Sequence, residues 1–319
     1  MKILGTGSAL PEKVVTNDDL ARVMDTSDEW IRTRTGIQKR HIAVKETTTS
    51  LAVEAAKKAL EEAKISIDDL DLIIAATVSP DYIFPTLACE VQAAVGAKNA
   101  TAFDLGAGCS GFLFALATAD AYFKTGRYKN ALIIGAETLS KMMDWGDRST
   151  CVLFGDGAGA AIVSAQGEQL LSMVQGSDGS GGMALKCDNR PVNNLYHQMG
   201  AQQYSFTQME GSAVYKFAVR TVPHAISEAL EKAKVPVDDV KLFVLHQANL
   251  RIIESVAKRL SQPMEKFPTN LEECGNISAA SVPILLDKVR KDGMIGKGDK
   301  IVMAGFGAGL TWGACVIEW

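Results

Sequence analysis

The sequence predicts an α/β fold built from one unit used twice. Strand and helix signals alternate along the chain, the pattern of layered α/β proteins. The run Ala63-Lys-Ile-Ser-Ile-Asp-Asp-Leu-Asp-Leu-Ile-Ile74 returns as Ala233-Lys-Val-Pro-Val-Asp-Asp-Val-Lys-Leu-Phe-Val244, an offset of 170 (63 to 233). The same offset lays the strand beginning at Ala131 on the one beginning at Ile301, and the helix start at Cys109 on the helix start near Ser278. Two halves follow, residues 1–165 and 166–319, with residues 166–208 holding an insertion.

Taken in order, Ile3-Leu-Gly5 opens a first strand. Ser50 is placed to cap a helix ending at Ala63, and Leu72–Ala76 is wholly apolar and reads as a buried strand. Thr86, after Pro85, starts a helix to about Val95. A short strand over Thr101–Leu105 runs through Gly106-Ala-Gly108 into Cys109 and an apolar helix, followed by a strand over 131–134. Two glycine-punctuated strands are expected over 151–164; Gly155-Asp-Gly157 there lacks the lysine of a phosphate-binding loop and reads as a strand bend. The second half predicts a long helix over 209–234, interrupted near Pro223, and a strand over 242–245. Helices over 250–260 and 278–290 and strands over 300–303 and 311–317 complete it. Residues 177–203, rich in Gly, Asn and Gln, read as a loop.

Composition narrows the function classes. The 319 residues are 47% hydrophobic and 22% charged with net charge −4, which gives no general attraction to nucleic acid or membrane. No apolar run reaches the length of a membrane span, and Met1 leads into a strand rather than a signal peptide. The six cysteines are scattered without Cys-x-x-Cys pairs, so no metal site or disulfide framework is expected, and a reducing cytoplasm is the default.

Cys109 stands apart from the other five. Small residues on both sides permit a sharp strand-to-helix turn. At a helix start, free N–H groups and the dipole favour an anion, so the thiol pKa is expected to be lowered. The repeat supplies partners: position 76 corresponds to His246 and position 106 to Asn276, so both lie at carboxyl ends of strands, as Cys109 does. In open parallel sheets that edge forms ligand crevices. His41, His197 and His224 lack such partners and read as surface or structural residues.

These segments, His246-Gln-Ala-Asn249, Gly275-Asn-Ile-Ser-Ala-Ala-Ser281, Gly305-Phe-Gly-Ala-Gly309 and the Cys109 elbow, resemble the β-ketoacyl-acyl-carrier-protein synthase III family. Gly5-Thr-Gly-Ser8, residues 26–36, Phe154-Gly-Asp-Gly-Ala-Gly159 and Thr311-Trp-Gly313 extend the resemblance over essentially the whole chain. It implies a thiolase-like fold of two pseudo-symmetric βαβαβ halves, layered α/β/α/β/α. It also implies a Cys109, His246 and Asn276 triad with an oxyanion hole of the Cys109 and Ala308 backbone N–H groups. The implied reaction loads Cys109 from acyl-CoA, decarboxylates malonyl-acyl-carrier-protein and joins the two, with no separate cofactor. Ala308 departs from an all-glycine loop, which a backbone donor survives if φ permits.

The resemblance further assigns Thr26, Trp30, Arg34, Arg148 and Asn249 to CoA, and Phe84, Leu139, Phe154 and Met209 to the acyl pocket. Phe84 is expected to reach into the partner's pocket, which implies a homodimer. Lys216, Gln247, Arg251, Lys258 and Arg259 are expected to meet an acidic acyl-carrier protein. Two other readings stay open: a starter-unit condensing enzyme of a polyketide- or quinolone-type pathway, and a degenerate dimer partner. Retention of Cys, His and Asn weighs against the last.

Overall fold

The computed structural model describes residues 1–197 and 205–319. The repeated Ala-Lys step ends a helix in the same way in both copies: Lys64 and Lys234 take the left-handed conformation, with φ of 54° and 55°. The Asp-Asp that follows makes a 3-10 turn in each, Ile67–Asp69 and Val237–Asp239, before an apolar strand begins.

Strand β1 (Lys2–Ala9) precedes a small appendage in which β2 (Val14–Thr16) pairs with β3 (Lys39–His41) around α1 (Asn17–Ala21) and α2 (Asp28–Thr35). Then come α3 (Thr48–Ala63), β4 (Leu72–Ala76), α4 (Leu87–Val95), β5 (Thr101–Leu105), α5 (Gly111–Lys124), β6 (Asn130–Thr138) and β7 (Asp156–Ser164). Strand β8 (Leu170–Ser177) and the short pair β9 (Leu185–Lys186) and β10 (Gln208–Met209) lead to α6 (Gly211–Ala233), β11 (Val240–Leu245) and α7 (Leu250–Arg259). The chain closes with α8 (Leu271–Cys274), α9 (Ser281–Lys291), β12 (Lys300–Gly307) and β13 (Thr311–Glu318).

One sheet has the order β1-β7-β6-β4-β5 and the other β8-β13-β12-β11. The first four strands correspond one to one; the place of β5 is taken in the second copy by α8. In β4, Leu72 and Ile74 face inward while Ile73 and Ala75 pack under α3 and α4. In β12, Ile301 and Met303 face inward while Val302 and Ala304 pack under α6 and α7. Between the sheets lie α5 and α9, contributing Phe112, Leu116, Leu285 and Leu286 to one shared core. Strands covered on both faces must be apolar throughout, which is why they were legible as uninterrupted runs. The result is the α/β/α/β/α layering.

Several local expectations change. Thr47, not Ser50, caps α3; Ser50 sits at the third helical position and answers with its own hydroxyl, a capping box. Helix α6 runs unbroken through Pro223, which is buried with Val219, Val222 and Ile226 against the second sheet, and that packing holds the axis. Only one strand, β7, occupies the 151–164 stretch, because residues 151–153 form a turn and Phe154 pairs instead with Asn276. Strand β8 lies inside the stretch taken as an insertion; it is the edge strand beside β13, and its serines obscured the apolar pattern. The loop expected over 177–203 contains a 3-10 turn (Gly179–Ala184) and β9, while its residues 198–203 lie outside the described ones.

Candidate active site

Cys109 lies in a 3-10 turn, Gly108–Ser110, at the head of α5. Gly108 enters that turn with φ of 51°, a conformation that suits glycine. Ser110 Oγ lies 2.8 Å from the Ala107 carbonyl and 2.7 Å from Thr311 Oγ1 and donates its one proton to either; Thr311 Oγ1 in turn lies within donating distance of the carbonyls of Ala107 (2.9 Å) and Ala308 (3.0 Å). These hydroxyls lash the elbow to the β12–β13 turn. A Cβ on Gly307 would stand 2.5 Å from the Cys109 nitrogen, and one on Gly108 2.9 Å from the Ala308 nitrogen. The two backbone N–H groups are therefore neighbours. Ala308 is not among the residues with positive φ, so its methyl costs no backbone strain.

His246 follows β11 directly, its N–H donating to the Ala304 carbonyl at 2.8 Å. The ring is buried and lies edge-on to Phe306, with centroids 5.3 Å apart. Burial pulls its pKa down to about 3, so the imidazole is neutral, and Nδ1 has no protein partner. Asn276 is held on both sides of its backbone: its N–H donates to the Leu153 carbonyl (2.9 Å) and its carbonyl accepts from Gly155 (3.0 Å). Its Oδ1 accepts from the Ser278 N–H at 2.9 Å, which assigns the amide orientation and leaves the Nδ2 donor for the cavity that Asn276 lines.

Two cavities meet at the cysteine. The larger, of about 520 Å³, runs from Trp30 and Arg34 past Asn249 to Cys109, His246 and Asn276. The smaller, of about 210 Å³, is lined by Leu139, Met142, Met143, Cys187, Ser278 and Ala308 among others. Cys109, Phe154 and Leu185 line both. The geometry suits a long substrate threaded through the first cavity with a short apolar group lodged in the second.

The electrostatics overturn one expectation. Burial pushes the Cys109 thiol up to about 12; a hydrogen bond with Ser278 opposes that, and the Glu137 charge adds to it. The thiol is thus protonated at rest despite its place at a helix start. Glu137, at the end of β6, is fully buried and is itself raised to about 6 by desolvation, against hydrogen bonds from Ser79, Val78, Ser278 and Thr77. Neither Glu137 nor Ser278 was singled out in the sequence. A signal existed for Ser278, since the offset of 170 pairs it with Gly108.

The remaining candidates divide. Trp30 carries both guanidinium groups, Arg34 at 4.6 Å and Arg148 at 5.0 Å from a ring centroid. Arg148 Nη1 also donates to Asp25. The guanidinium groups therefore cover the indole rather than leaving it bare for a base. Asn249 caps α7, accepting from the Arg251 N–H at 2.9 Å and donating Nδ2 to the Arg34 carbonyl at 3.1 Å, which ties α7 to α2 at the cavity mouth. Thr26 lines neither cavity, and its buried hydroxyl has no partner. Leu139 and Phe154 line the smaller cavity, whereas Met209 lines only the larger. Phe84 is 83% exposed and lines neither cavity of its own chain.

Of the expected carrier-protein residues, Lys216, Arg251, Lys258 and Arg259 are exposed, and Arg251 Nη2 donates to the Thr33 carbonyl at the mouth. Gln247 does not belong with them. It is 1% exposed, donating to the Leu245 carbonyl and accepting from the Asn270 N–H, so it braces the strand end from inside. Among the described residues no group of three His, Cys, Asp or Glu is placed to hold a metal, and no helix is long and apolar enough to cross a membrane.

Comparison with known proteins agrees with this arrangement. Residues 103–179 match the family described as 3-oxoacyl-[acyl-carrier-protein (ACP)] synthase III, and residues 230–319 match the one described as its C terminal. A β-ketoacyl-[acyl-carrier-protein] synthase III of Clostridium novyi (strain NT) is 49% identical over 320 residues, covering 100% of this chain and 99% of that protein. The crystal structure of 3-oxoacyl-[acyl-carrier-protein] synthase III from Aquifex aeolicus VF5 superposes with a TM-score of 0.93 at 47% identity, over 100% of this chain and 99% of that one. The priming β-ketosynthase of the R1128 polyketide biosynthetic pathway superposes with a TM-score of 0.93 at 36% identity, over 99% and 95% of the two chains. The chain belongs to the β-ketoacyl-acyl-carrier-protein synthase III family and has its thiolase-like fold.

Proposed function

We propose that the protein starts fatty-acid synthesis by condensing a short acyl-CoA primer with malonyl-acyl-carrier-protein. It is a condensing acyltransferase, and the observation that carries its mechanism is a single thiol at the junction of two cavities, facing two hydrogen-bond donors. The Cys109 sulfur attacks the thioester carbonyl, the bond to the CoA sulfur breaks, and the acyl group remains on the enzyme. The Cys109 and Ala308 N–H groups receive the oxyanion. CoA leaves, the malonyl group enters the larger cavity, and loss of CO2 yields an enolate whose carbon attacks the acyl-cysteine carbonyl; the C–C bond forms as the Cys109 S–C bond breaks, releasing β-ketoacyl-carrier protein and restoring the thiol.

An enolate oxygen needs donors rather than a base. His246 is held neutral by burial and Asn276 is oriented by Ser278, so each offers one N–H without reorganising. Trp30, Arg34, Arg148 and Asn249 at the mouth are suited to the nucleotide end of CoA. The exposed cations Lys216, Arg251, Lys258 and Arg259 suit contact with an acidic carrier protein even on a protein of net charge −4. The exposed side chain of Phe84 fits a homodimer in which it is covered by the partner, and a cytoplasmic location fits six free cysteines among the described residues.

The likeness to a polyketide priming ketosynthase supports a second reading, in which the same site primes a specialised pathway. Intact-mass and peptide spectrometry after incubation with a panel of acyl-CoAs, then malonyl-acyl-carrier-protein, tests both. The proposal expects acylation of Cys109 by short primers and release of β-ketoacyl-carrier protein. Acylation at another residue, or none, contradicts it.

A further inference from the structure

The acylation half-reaction has a proton to move, and neither member of the donor pair suits the task. A thiol held near 12 must lose its proton to attack, yet the leaving CoA thiolate must end up with one. His246, held near 3, is a weak base, and Asn276 is no base at all. Among the described residues, the half-buried carboxyl of Asp104 and the buried ones of Asp156 and Asp287 are tied elsewhere, the first by the Leu87 and Ala88 N–H groups, the second by Ala43 and Ser140, the third by Thr6, Ser8 and Lys291. Glu137 remains.

Its placement is specific. The end of β6 lies hard against the 3-10 turn Ser278–Ala280: a Cβ on Gly135 would come 2.2 Å from the Ala279 carbonyl oxygen. Ser278 lines the same cavity wall as Cys109, and its hydroxyl is close enough to the thiol and to the Glu137 carboxylate to favour the ionised form of each. A hydroxyl has one proton to give and can also accept, so it can bridge a thiol to a carboxylate. Ser278 is also one of four non-glycine residues with positive φ among the described residues, at 44°, and it occupies the repeat position of Gly108. A side chain held in a conformation that glycine favours, beside a reactive group, points to a role for that side chain.

We propose that Glu137, acting through the Ser278 hydroxyl, takes the Cys109 thiol proton during acylation and returns it to the leaving thiolate. The S–H proton passes to Ser278 Oγ as the Ser278 proton passes to the carboxylate, while the sulfur pair forms the new S–C bond. Collapse of the tetrahedral adduct breaks the old S–C bond, and the same chain run backwards protonates the departing sulfur. Nothing is oxidised or reduced.

The groups facing Glu137 are consistent with this role. Thr77 Oγ1 (3.2 Å), Val78 N–H (3.1 Å) and Ser79 Oγ (2.5 Å) donate to it, and none is a cation. Lys141, on the turn after β6, is engaged by the Pro80 carbonyl, Asp81 and Thr48. Asp156 on β7 is occupied as above. Glu137 is therefore a positioning residue with a protonation state of its own, raised to about 6, and not a charge neutralised by an ion pair.

The inference rests on Cys109 being the acyl acceptor, so the test reads that first. Wild type, Glu137→Gln and Ser278→Gly are mixed rapidly with acetyl-CoA from pH 5 to 9 and the mass of Cys109 is followed. The acyl-enzymes are then mixed with malonyl-acyl-carrier-protein. Ser278→Gly suits the left-handed backbone and removes the hydroxyl together with its single carbon. The wild-type acylation rate is expected to rise through pH 6 as Glu137 ionises; both variants are expected to acylate roughly 100-fold more slowly without that rise, with the second half-reaction changed less than about threefold. Unchanged acylation in either variant, or equal losses in both half-reactions, overturns the relay. If Glu137→Gln does not fold, Ser278→Gly decides alone. A wild-type enzyme not acylated at Cys109 overturns the proposed function instead.

Discussion

The two 3-10 turns Gly108–Ser110 and Ser278–Ala280 occupy repeat-related positions and pack against each other at the centre of the molecule, one before α5 and one before α9. Their first residues share a left-handed φ, 51° and 44°. Their chemistry is opposite. The first presents Cys109 to both cavities; the second places Ala279, 1% exposed and lining neither, at the same position. Similar trades recur nearby: Ala76 against His246, Gly106 against Asn276, and Glu137 against Gly307. At each pair one half carries the side chain assigned to the proposed site and the other a small residue. Gly307 shows why, since a methyl there would strike Cys109. A duplicated fold has room for one site at its centre, and each half contributes by leaving space for the other's side chains.

The largest effect is expected from moving the thiol across. Cys109→Ala combined with Ala279→Cys should form no acyl-enzyme by mass spectrometry; a thioester on residue 279 would break the comparison. Gly307→Ala comes next. Its methyl would lie 2.5 Å from the Cys109 nitrogen and 2.8 Å from its Cβ, so overpacking should cost about 1–3 kcal/mol in urea unfolding and slow acylation at least roughly tenfold. Wild-type stability with wild-type acylation would mean that the contact is not binding on the site. Arg148→Ala should be mildest: losing one cation–π contact on Trp30 is worth about a two- to fivefold rise in KM for acyl-CoA with kcat unchanged.

Much of this was legible because the fold writes itself twice. The doubled Ala-Lys and Asp-Asp steps mark matching helix ends and turns, and strands buried on both faces stand out as apolar runs. From the offset alone, His246, Asn276 and Cys109 could be brought to one sheet edge. What was not legible depends on burial. A helix start suggested a lowered thiol pKa at Cys109, but desolvation outweighs it. Gln247 looked like part of an exposed segment and is fully enclosed. Glu137 sits in a strand without any motif to distinguish it, and only the approach of β6 to the Ser278–Ala280 turn gives it a neighbour in Ser278. Strand β8 escaped notice because an edge strand need bury only part of its surface.

The central claim, that the first half holds the acyl group and the second supplies the donors, is tested most directly by His246→Ala in separated half-reactions. Acetyl transfer to Cys109 is expected to stay within about threefold of wild type, while condensation with malonyl-acyl-carrier-protein falls roughly 100- to 1,000-fold, as for loss of one preorganised donor. In the wild type that second step should be flat from pH 5 to 9, because His246 with a pKa of about 3 is neutral throughout. Equal losses in both half-reactions, or a wild-type inflection near pH 6.5, would contradict the division of labour.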